Sequence, residues 1–139
     1  GFADLPFLLA GIFFDVGSAK IKSETIQLLK MIAEELGQVQ NHVILEGYTD
    51  ARPFGSGAYS NWELSADRAN AARKILEENG LRKDQILEVR GFADRKLRNP
   101  GNPMDSSNRR VSIFVVPSKP SPAKDLKRDL APVPPQDVK

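Results

Sequence analysis

Cysteine is absent from the 139-residue chain, which excludes disulfide bonds, zinc–thiolate sites and thiol nucleophiles. Histidine occurs once, as His42, so no metal site built from several histidines can form. Neither charge predominates, because 20 Lys and Arg oppose 18 Asp and Glu, a formal charge of +2. Nucleic-acid binders usually concentrate basic charge on one face. We therefore expect no nucleic-acid partner, no metal and no cofactor.

Long hydrophobic runs are also missing. The stretch from Leu5 to Phe14 is apolar but only about ten residues long, whereas a membrane-spanning helix needs about 20. We expect it to form a buried strand and its lead-in, and we expect no membrane span within this fragment. The start of the chain has no signal-peptide pattern. Neither a G-x-S-x-G elbow nor a phosphate-binding glycine loop occurs, so no familiar catalytic motif is present.

The hydrophobic pattern predicts four strands and two helices in the order β-α-β-α-β-β. The strands are expected at 12–14, 43–45, 86–92 and 111–116, and the helices at 24–36 and 61–79. Two strand–helix units followed by a closing pair of strands favour an α/β (α+β sandwich) fold, a mixed four-stranded sheet with helices packed on one face. The domain is expected to span 10–117, after a lead-in at 1–9 and before a Pro-rich, disordered tail at 118–139.

Local signals set the helix ends. Ser23 is expected to cap the first helix, which Gly37 ends. Ser60 and Glu63 fit a capping box at the start of the second helix. In such a box the Ser60 side chain bonds a free backbone N–H of the first turn, and the Glu63 side chain reaches back to the backbone N–H of Ser60. A short echo, Gly47-Tyr48-Thr49-Asp50 and Gly91-Phe92-Ala93-Asp94, follows the second and third strands.

Arg68 is the most informative residue of the second helix. On a helical wheel it falls inside the apolar stripe that also contains Leu64, Ala72 and Leu76. An unpaired guanidinium buried there would cost several kcal/mol. Either Arg68 extends to solvent or pairs internally with a carboxylate, or it points into a cleft and binds a ligand carboxylate through its planar donors.

Asp50 is the natural companion of Arg68, because it lies just past a strand, where side chains line clefts in α/β folds. It is either an ordinary turn residue or an acceptor for a ligand ammonium. A carboxylate and a guanidinium at one cleft would match an amino-acid zwitterion. As an alternative, Asp15, Asp50 and Asp94 could pair as acid and base in an enzyme.

A basic cluster lies near the end of the domain. Asn108-Arg109-Arg110, with Arg95, Lys96 and Arg98, could form a phosphate-binding patch. Asp94 and Asp105 dilute its charge, and no aromatic residues interleave with it to stack bases. We therefore interpret the cluster as a solvated surface, apart from any contact that Arg109 or Arg110 makes with a ligand.

Several ordered motifs together resemble one family. The chain resembles the OmpA-like peptidoglycan-binding domain over residues 10 to 117. The motifs that carry the resemblance are Gly47-Tyr48-Thr49-Asp50, Tyr59-Ser60-Asn61, Leu64-Ser65-Ala66-Asp67-Arg68-Ala69 and Asn108-Arg109-Arg110-Val111. The resemblance implies a non-enzymatic module that binds peptidoglycan through the diaminopimelate residue of its stem peptide. It implies that Asp50 takes the ligand's ammonium and Arg68 its carboxylate. It places further cleft residues at Phe14, Asp15, Thr49, Asn61, Arg109 and Arg110. Tyr48 stands where the family often has His, and we expect it to alter the cleft rim.

A narrower resemblance covers 53–71, where the loop and Ser60-Asn61-Trp62-Glu63-Leu64-Ser65-Ala66-Asp67-Arg68 look like the MotB group of flagellar stator proteins. This implies a periplasmic, dimeric wall anchor of a protein held in the inner membrane by an N-terminal helix, working with an ion-channel partner subunit. The alternatives are the tail of an OmpA-like porin, a wall-linking lipoprotein and, from another class, a peptidoglycan-cleaving enzyme.

Overall fold

The computed structural model describes residues 5–55 and 58–117, in the predicted order β-α-β-α-β-β. The elements are β1 (Phe7–Phe13), α1 (Ser23–Leu36), β2 (His42–Tyr48), α2 (Asn61–Glu78), β3 (Ile86–Gly91) and β4 (Arg110–Val116). Short 3₁₀ turns lie at Lys83–Gln85 and Ser106–Asn108. The Pro-rich tail predicted for 118–139 lies outside the described residues, as do residues 1–4 of the expected lead-in.

The four strands form one mixed sheet in the order β1-β4-β2-β3. β2 and β3 are parallel, and β4 runs antiparallel to both β1 and β2. β1, β2 and β3 therefore share one direction, and their carboxyl ends meet the start of β4 at the same edge of the sheet. The loops that leave this edge carry most of the residues nominated from the sequence.

Both helices lie on one face of the sheet, as predicted, and α2 approaches it unusually closely. A Cβ added to Gly47 would lie 1.9 Å from the carbonyl oxygen of Ser65, and one added to Gly91 would lie 2.7 Å from the Ser65 hydroxyl. The absent side chains let the backbone of α2 pack directly on β2 and β3. The core between these layers contains Leu29, Ala33, Val43, Leu45, Ala69, Ala72, Leu76, Val111 and Ile113.

The start of α2 confirms the predicted capping box. The Ser60 hydroxyl accepts from the N–H of Trp62, while the Glu63 carboxylate accepts from the N–H of Ser60 at 2.7 Å. The cap predicted for α1 is wrong, because Ser23 is the first helical residue and Lys22 holds the cap position without a side-chain bond. The Ser23 hydroxyl instead donates to Glu24. Gly37 ends α1 as expected.

β1 corrects two expectations. It begins at Phe7 rather than at residue 12, where the strand was expected to start, and it is an edge strand rather than a buried one. Phe7, Leu8 and Phe13 each keep between 44% and 56% of their surface exposed, whereas Ile12 is buried. An apolar run is ambiguous because it does not reveal how many neighbours a strand has. Within the described ranges, neither helix has the length and apolar character to cross a membrane.

Candidate ligand-binding cleft

A cleft of about 350 Å³ lies at the sheet edge where β1 and β2 end and β4 begins. Its walls come from the loop after β1, the loop after β2, the first turns of α2 and the residue before β4. The lining residues are Val16, Gly17, Thr49, Asp50, Arg52, Pro53, Phe54, Asn61, Leu64, Arg68 and Arg109. Asp50 and Arg68, which lie 18 positions apart in the sequence, therefore face one space.

The guanidinium of Arg68 is fully buried and bonds three backbone carbonyls. Nε donates to the carbonyl of Ser18 at 2.7 Å, Nη1 to that of Tyr48 at 3.0 Å and Nη2 to that of Asp15 at 3.0 Å. Of the alternatives left open for Arg68, extension to solvent and pairing with an internal carboxylate are not found among the described residues, because neutral carbonyls hold the guanidinium. Three of its five N–H groups are thereby used, and the other two have no hydrogen-bond partner among the described residues.

Arg68 remains a cation in this setting. Burial lowers its pKa to about 10. The nearby charge of Asp50 opposes this shift, and the charge of Arg109 adds to it. A pKa of about 10 leaves the group protonated at neutral pH. Its guanidinium carbon also lies 5.2 Å from the ring centre of Phe14, a cation–π contact that stabilises the buried charge.

Asp50 is 4% exposed and its carboxylate is already bonded at both oxygens. Oδ1 accepts from the backbone N–H of Arg52 at 3.0 Å, as in an ordinary Asp turn, and Oδ2 accepts from Nη1 of Arg109 at 3.0 Å. Arg109 is itself fixed by a bond from Nε to the carbonyl of Phe14 at 2.8 Å. Each carboxylate oxygen has a second lone pair, so Asp50 retains acceptor capacity toward the cleft.

Asn61 supplies a second acceptor at the start of α2. Its Nδ2 donates to the carbonyl of Arg52 at 3.0 Å, which ties the helix to the loop after β2. Its Oδ1 is buried and has no hydrogen-bond partner among the described residues. Buried polar atoms are seldom left unpaired in a folded domain, so this oxygen suits a donor from a ligand. Thr49 also lines the cleft, but its hydroxyl donates to the carbonyl of Asp50.

Three of the residues nominated from the sequence do not line the cleft. The Phe14 ring lies against Arg68, and the Asp15 carboxylate turns away to Lys22 at 3.2 Å, so only its carbonyl serves the site. Arg110 lies on the opposite face of the sheet, where it covers the Tyr48 ring. The Tyr48 ring does not line the cleft either, so its expected effect on the rim is not seen.

The short sequence echo corresponds to two equivalent strand ends. Gly47 and Gly91 are register partners, and the rings of Tyr48 and Phe92 stack with centres 5.2 Å apart. Only the first copy enters the cleft, because Asp94 lies beyond the other parallel strand, where it faces Arg95 at 3.9 Å.

Three further lining residues, Gly17, Arg52 and Phe54, were not nominated from the sequence. Gly17 has a φ of +66°, and a Cβ there would lie 2.9 Å from the ring of Phe54, so the wall requires glycine. Arg52 and Phe54 follow Asp50 in a loop without periodicity. Asn108 was interpreted as part of a basic cluster, yet it is buried and bonds 99, 102 and 103, which orders the loop before β4.

Among residues 5–55 and 58–117, no group of three His, Asp or Glu side chains is placed to hold a metal ion. The only Asp or Glu among the residues lining the cleft is Asp50. The cleft therefore presents one carboxylate, one amide oxygen and three guanidinium groups, those of Arg52, Arg68 and Arg109. That set suits a ligand carrying both an ammonium and a carboxylate.

Comparison with known proteins gives matches over most of the chain. Residues 13–110 match the family model described as the OmpA family. Motility protein B of Escherichia coli K12 is 42% identical over 105 residues, which cover 74% of this chain and 34% of that protein. The chain spans about a third to a half of the length of the curated flagellar relatives it matches.

Solved structures share the fold. The C-terminal domain of Helicobacter pylori MotB aligns with a TM-score of 0.69 at 23% identity, covering 86% of this chain and 92% of that one. The cell wall anchor of the T6SS from Pseudomonas aeruginosa aligns with a TM-score of 0.61 at 30% identity, covering 75% of this chain and 74% of that one.

Proposed function

The chain belongs to the OmpA family, and from this premise we propose that it binds peptidoglycan non-covalently, with the diaminopimelate side chain of a stem peptide held in the cleft. The observation that carries the proposal is the meeting of Asp50 and Arg68 at one space. Asp50 accepts from the ligand's ammonium, and Arg68 donates to its carboxylate. A relative from Pseudomonas aeruginosa described as a cell wall anchor supports the same ligand class.

The acceptors of the cleft suit an ammonium group. An –NH₃⁺ has three donors. The two oxygens of Asp50 each have room for one more bond, and Oδ1 of Asn61 is buried without a partner. An ammonium placed between these two side chains would satisfy the Asn61 oxygen as well as pairing with the carboxylate.

The donors suit a carboxylate. Arg68 has two N–H groups beyond those that bond the carbonyls, and a carboxylate accepts such a pair from a planar guanidinium. The group is buried, so the interaction is less screened than it would be at the surface. Because the three carbonyl bonds hold the guanidinium in place, little side-chain freedom remains to be lost on binding.

We propose that the domain is a binding module rather than an enzyme that cuts the wall. A glycosidase needs two carboxylates placed on either side of the scissile bond. The three aspartates from which a catalytic pair could be drawn lie apart. Asp15 faces Lys22, Asp94 faces Arg95, and of the three only Asp50 lines the cleft. This separation supports binding without cleavage.

For the whole protein we propose the role of a flagellar stator anchor in the periplasm. The similarity to Motility protein B supports it. In that role the domain would be dimeric and joined through a segment in the inner membrane to an ion-channel partner subunit. The alternatives, a porin tail or a wall-linking lipoprotein, would use the same cleft. They receive support from weaker matches to a peptidoglycan-associated lipoprotein of Pseudomonas putida and outer membrane protein A of Bordetella avium.

Sedimentation with purified diaminopimelate-type sacculi tests the proposal. Wild type should pellet with the sacculi, Asp50→Asn should remain in solution, and Asp94→Asn should behave as wild type because it alters the equivalent residue outside the cleft. Circular dichroism establishes that each variant is folded. A wild-type protein that stays in solution would contradict the proposed ligand, and sustained release of soluble fragments would contradict the non-enzymatic assignment.

A further inference from the structure

The face of the sheet opposite the helices carries a row of side chains at the cleft end. Phe13, Arg110 and Tyr48 are register partners across β1, β4 and β2, and the Phe92 ring stacks on Tyr48 just past β3. One residue from each strand, or from its first following position, thus forms a line across the whole sheet. The guanidinium carbon of Arg110 lies 3.9 Å from the centre of the Tyr48 ring.

The loop between β3 and β4 places two basic side chains near the aromatic rings of this line. Lys96 Nζ lies 4.3 Å from the centre of the Phe92 ring, and the Arg98 guanidinium carbon lies 6.0 Å from that of the Phe13 ring. Both basic side chains are exposed. Burial lowers the pKa of Arg110; the charges of Tyr48 and Glu46 raise it, and that of Arg98 lowers it. We refer to Lys96, Arg98 and Arg110 as the cationic row.

Nearby carboxylates are engaged elsewhere. Glu46 accepts from Tyr48 and pairs with Arg90 at 2.8 Å, and Asp94 faces Arg95. Among the described residues, no carboxylate oxygen lies within 4.0 Å of a nitrogen of the cationic row. Three positive charges therefore lie against aromatic rings, and none of them forms an ion pair among the described residues.

The row begins where the cleft ends. Arg109 turns to Asp50 in the cleft, whereas the next residue, Arg110, turns to the opposite face and covers Tyr48. Consecutive residues of an extended chain point to opposite faces of a sheet. The cleft and the cationic row thus lie on the two sides of one sheet edge. A polymer that leaves the cleft across this edge meets the row next.

We propose that the cationic row is a second anion-binding surface, which takes free carboxylates of stem peptides adjacent to the one held in the cleft. The inference rests on the proposed function, because it assigns the row to the same polymer. Peptidoglycan stems repeat along their glycan strands and carry several carboxylates each. Lys96 and Arg98 are exposed enough to reach them without rearrangement of the fold. Contacts of this kind are weak singly and add to retention on a polymer through avidity.

The double variant Lys96→Gln/Arg98→Gln tests the row and leaves Arg110, which packs on Tyr48, in place. Lys74→Gln/Lys83→Gln is the matched control, because it removes two positive charges from exposed positions outside the row. Binding to sacculi is measured across a range of salt concentrations, beside binding to a soluble diaminopimelate-containing stem peptide. The row variant should bind sacculi about three- to tenfold more weakly at low salt, as two screened surface contacts would give. The difference should vanish at high salt.

The soluble peptide separates this inference from the proposed function. Wild type and row variant should bind the peptide equally, because it fills the cleft alone. Equal retention of the two on sacculi at low salt, or an equal loss in the control, would overturn the cationic row as a wall contact while leaving the cleft intact. Failure of wild type to bind the peptide would overturn the cleft itself. A phosphatidylglycerol vesicle arm covers the other source of anions: loss of vesicle binding with unchanged sacculus binding would assign the row to membranes and contradict the proposal.

Discussion

Nη1 of Arg109 lies 3.0 Å from Oδ2 of Asp50, so the carboxylate proposed to take a ligand ammonium already has a cationic partner. The pair offsets part of the cost of burying Asp50. The charged groups that line the cleft, Asp50 with Arg52, Arg68 and Arg109, together carry a net charge of +2. This balance disfavours a ligand that brings only an ammonium and favours one that also brings a carboxylate.

Selectivity between stem peptides should therefore depend on Arg109. Wild type should prefer a stem peptide with diaminopimelate over one with lysine, which lacks the second carboxylate, and Arg109→Gln should reduce that preference by about tenfold, the equivalent of one charge-assisted contact. The ratio falls because only the diaminopimelate carboxylate loses an attracting neighbour, whereas the ammonium, which both peptides carry, loses a repelling one in both cases. Isothermal titration with both peptides measures it. Arg110→Gln, altered on the other face, should keep the wild-type ratio; a preference unchanged in Arg109→Gln would contradict this role.

Arg68 should matter for stability even without ligand. Arg68→Ala leaves three carbonyls without their donor, that of Tyr48 buried and those of Asp15 and Ser18 partly buried. A buried carbonyl without a partner costs about 1–3 kcal/mol, so the free energy of unfolding should fall by about 2–3 kcal/mol. Arg68→Lys should lie between wild type and Ala, because one ammonium cannot reproduce the planar geometry. Urea denaturation measures both. Arg73→Ala on the same helix removes an i,i+4 pair with Glu77 and a hydrogen bond to the side chain of Asn70, and should cost about 1 kcal/mol. Equal losses at the two positions would contradict the buried role of Arg68.

Gly47 should tolerate no side chain. A methyl group there would overlap the carbonyl of Ser65, so Gly47→Ala must push α2 away from β2, and we expect a loss of about 3 kcal/mol or more in the free energy of unfolding. Gly101→Ala is the control, since its added Cβ would meet only a side-chain oxygen at 3.6 Å. Thermal denaturation compares the two. A Gly47→Ala protein as stable as Gly101→Ala would show that the helix can move aside at little cost.

The two tyrosines should ionise well above their ordinary pH. Burial, and then the hydrogen bond to Asp67, raise the pKa of Tyr59 to about 12; burial, and then the hydrogen bond to Glu46, raise that of Tyr48 further. A raised pKa stabilises the fold fully below the unfolded value of about 10 and loses that contribution as pH rises through the folded value. Stability should therefore be flat with respect to these groups up to about pH 10 and decline above it.

Near-ultraviolet absorbance of tyrosinate measures this titration directly, because the chain has only two tyrosines. Tyr59→Phe removes the transition near pH 12 and leaves Tyr48 alone. A midpoint close to 10 for either residue in the folded protein would contradict the described hydrogen bonds.

Much of the fold follows from local pattern. The capping box at Ser60 and Glu63 depends on neighbours in sequence, and the sequence predicted it correctly. The helical wheel likewise placed Arg68 on the apolar face of α2, where it lies, because helical periodicity alone decides which face it occupies. Non-local partners were beyond this reasoning. That Arg68 would meet the carbonyls of Asp15 and Ser18 depends on how the loop after β1 folds over α2, which no short motif encodes.

Strand alternation explains the misplaced site residues. The family resemblance grouped Arg109 with Arg110, yet one position moves a side chain to the other face of a sheet. The same shift separates Tyr48, on the far face, from the cleft residues that follow it. The exposed surface of β1 was missed for a different reason: its apolar residues indicate a strand, but only the sheet order reveals that one edge of it is unpaired.

The bonds of Arg68 have a mechanical consequence. β1 runs from Phe7 toward the cleft, so a force between a ligand held there and the amino-terminal end of β1 acts along the strand. The hydrogen bonds between β1 and β4 lie across that direction and are loaded in shear, which requires several to break together rather than one after another. Arg68 links the loop after β1 to α2 through Asp15 and Ser18 and transmits part of the same load directly into the helix layer. A cleft built this way resists tension along the line that joins its ligand to the start of β1.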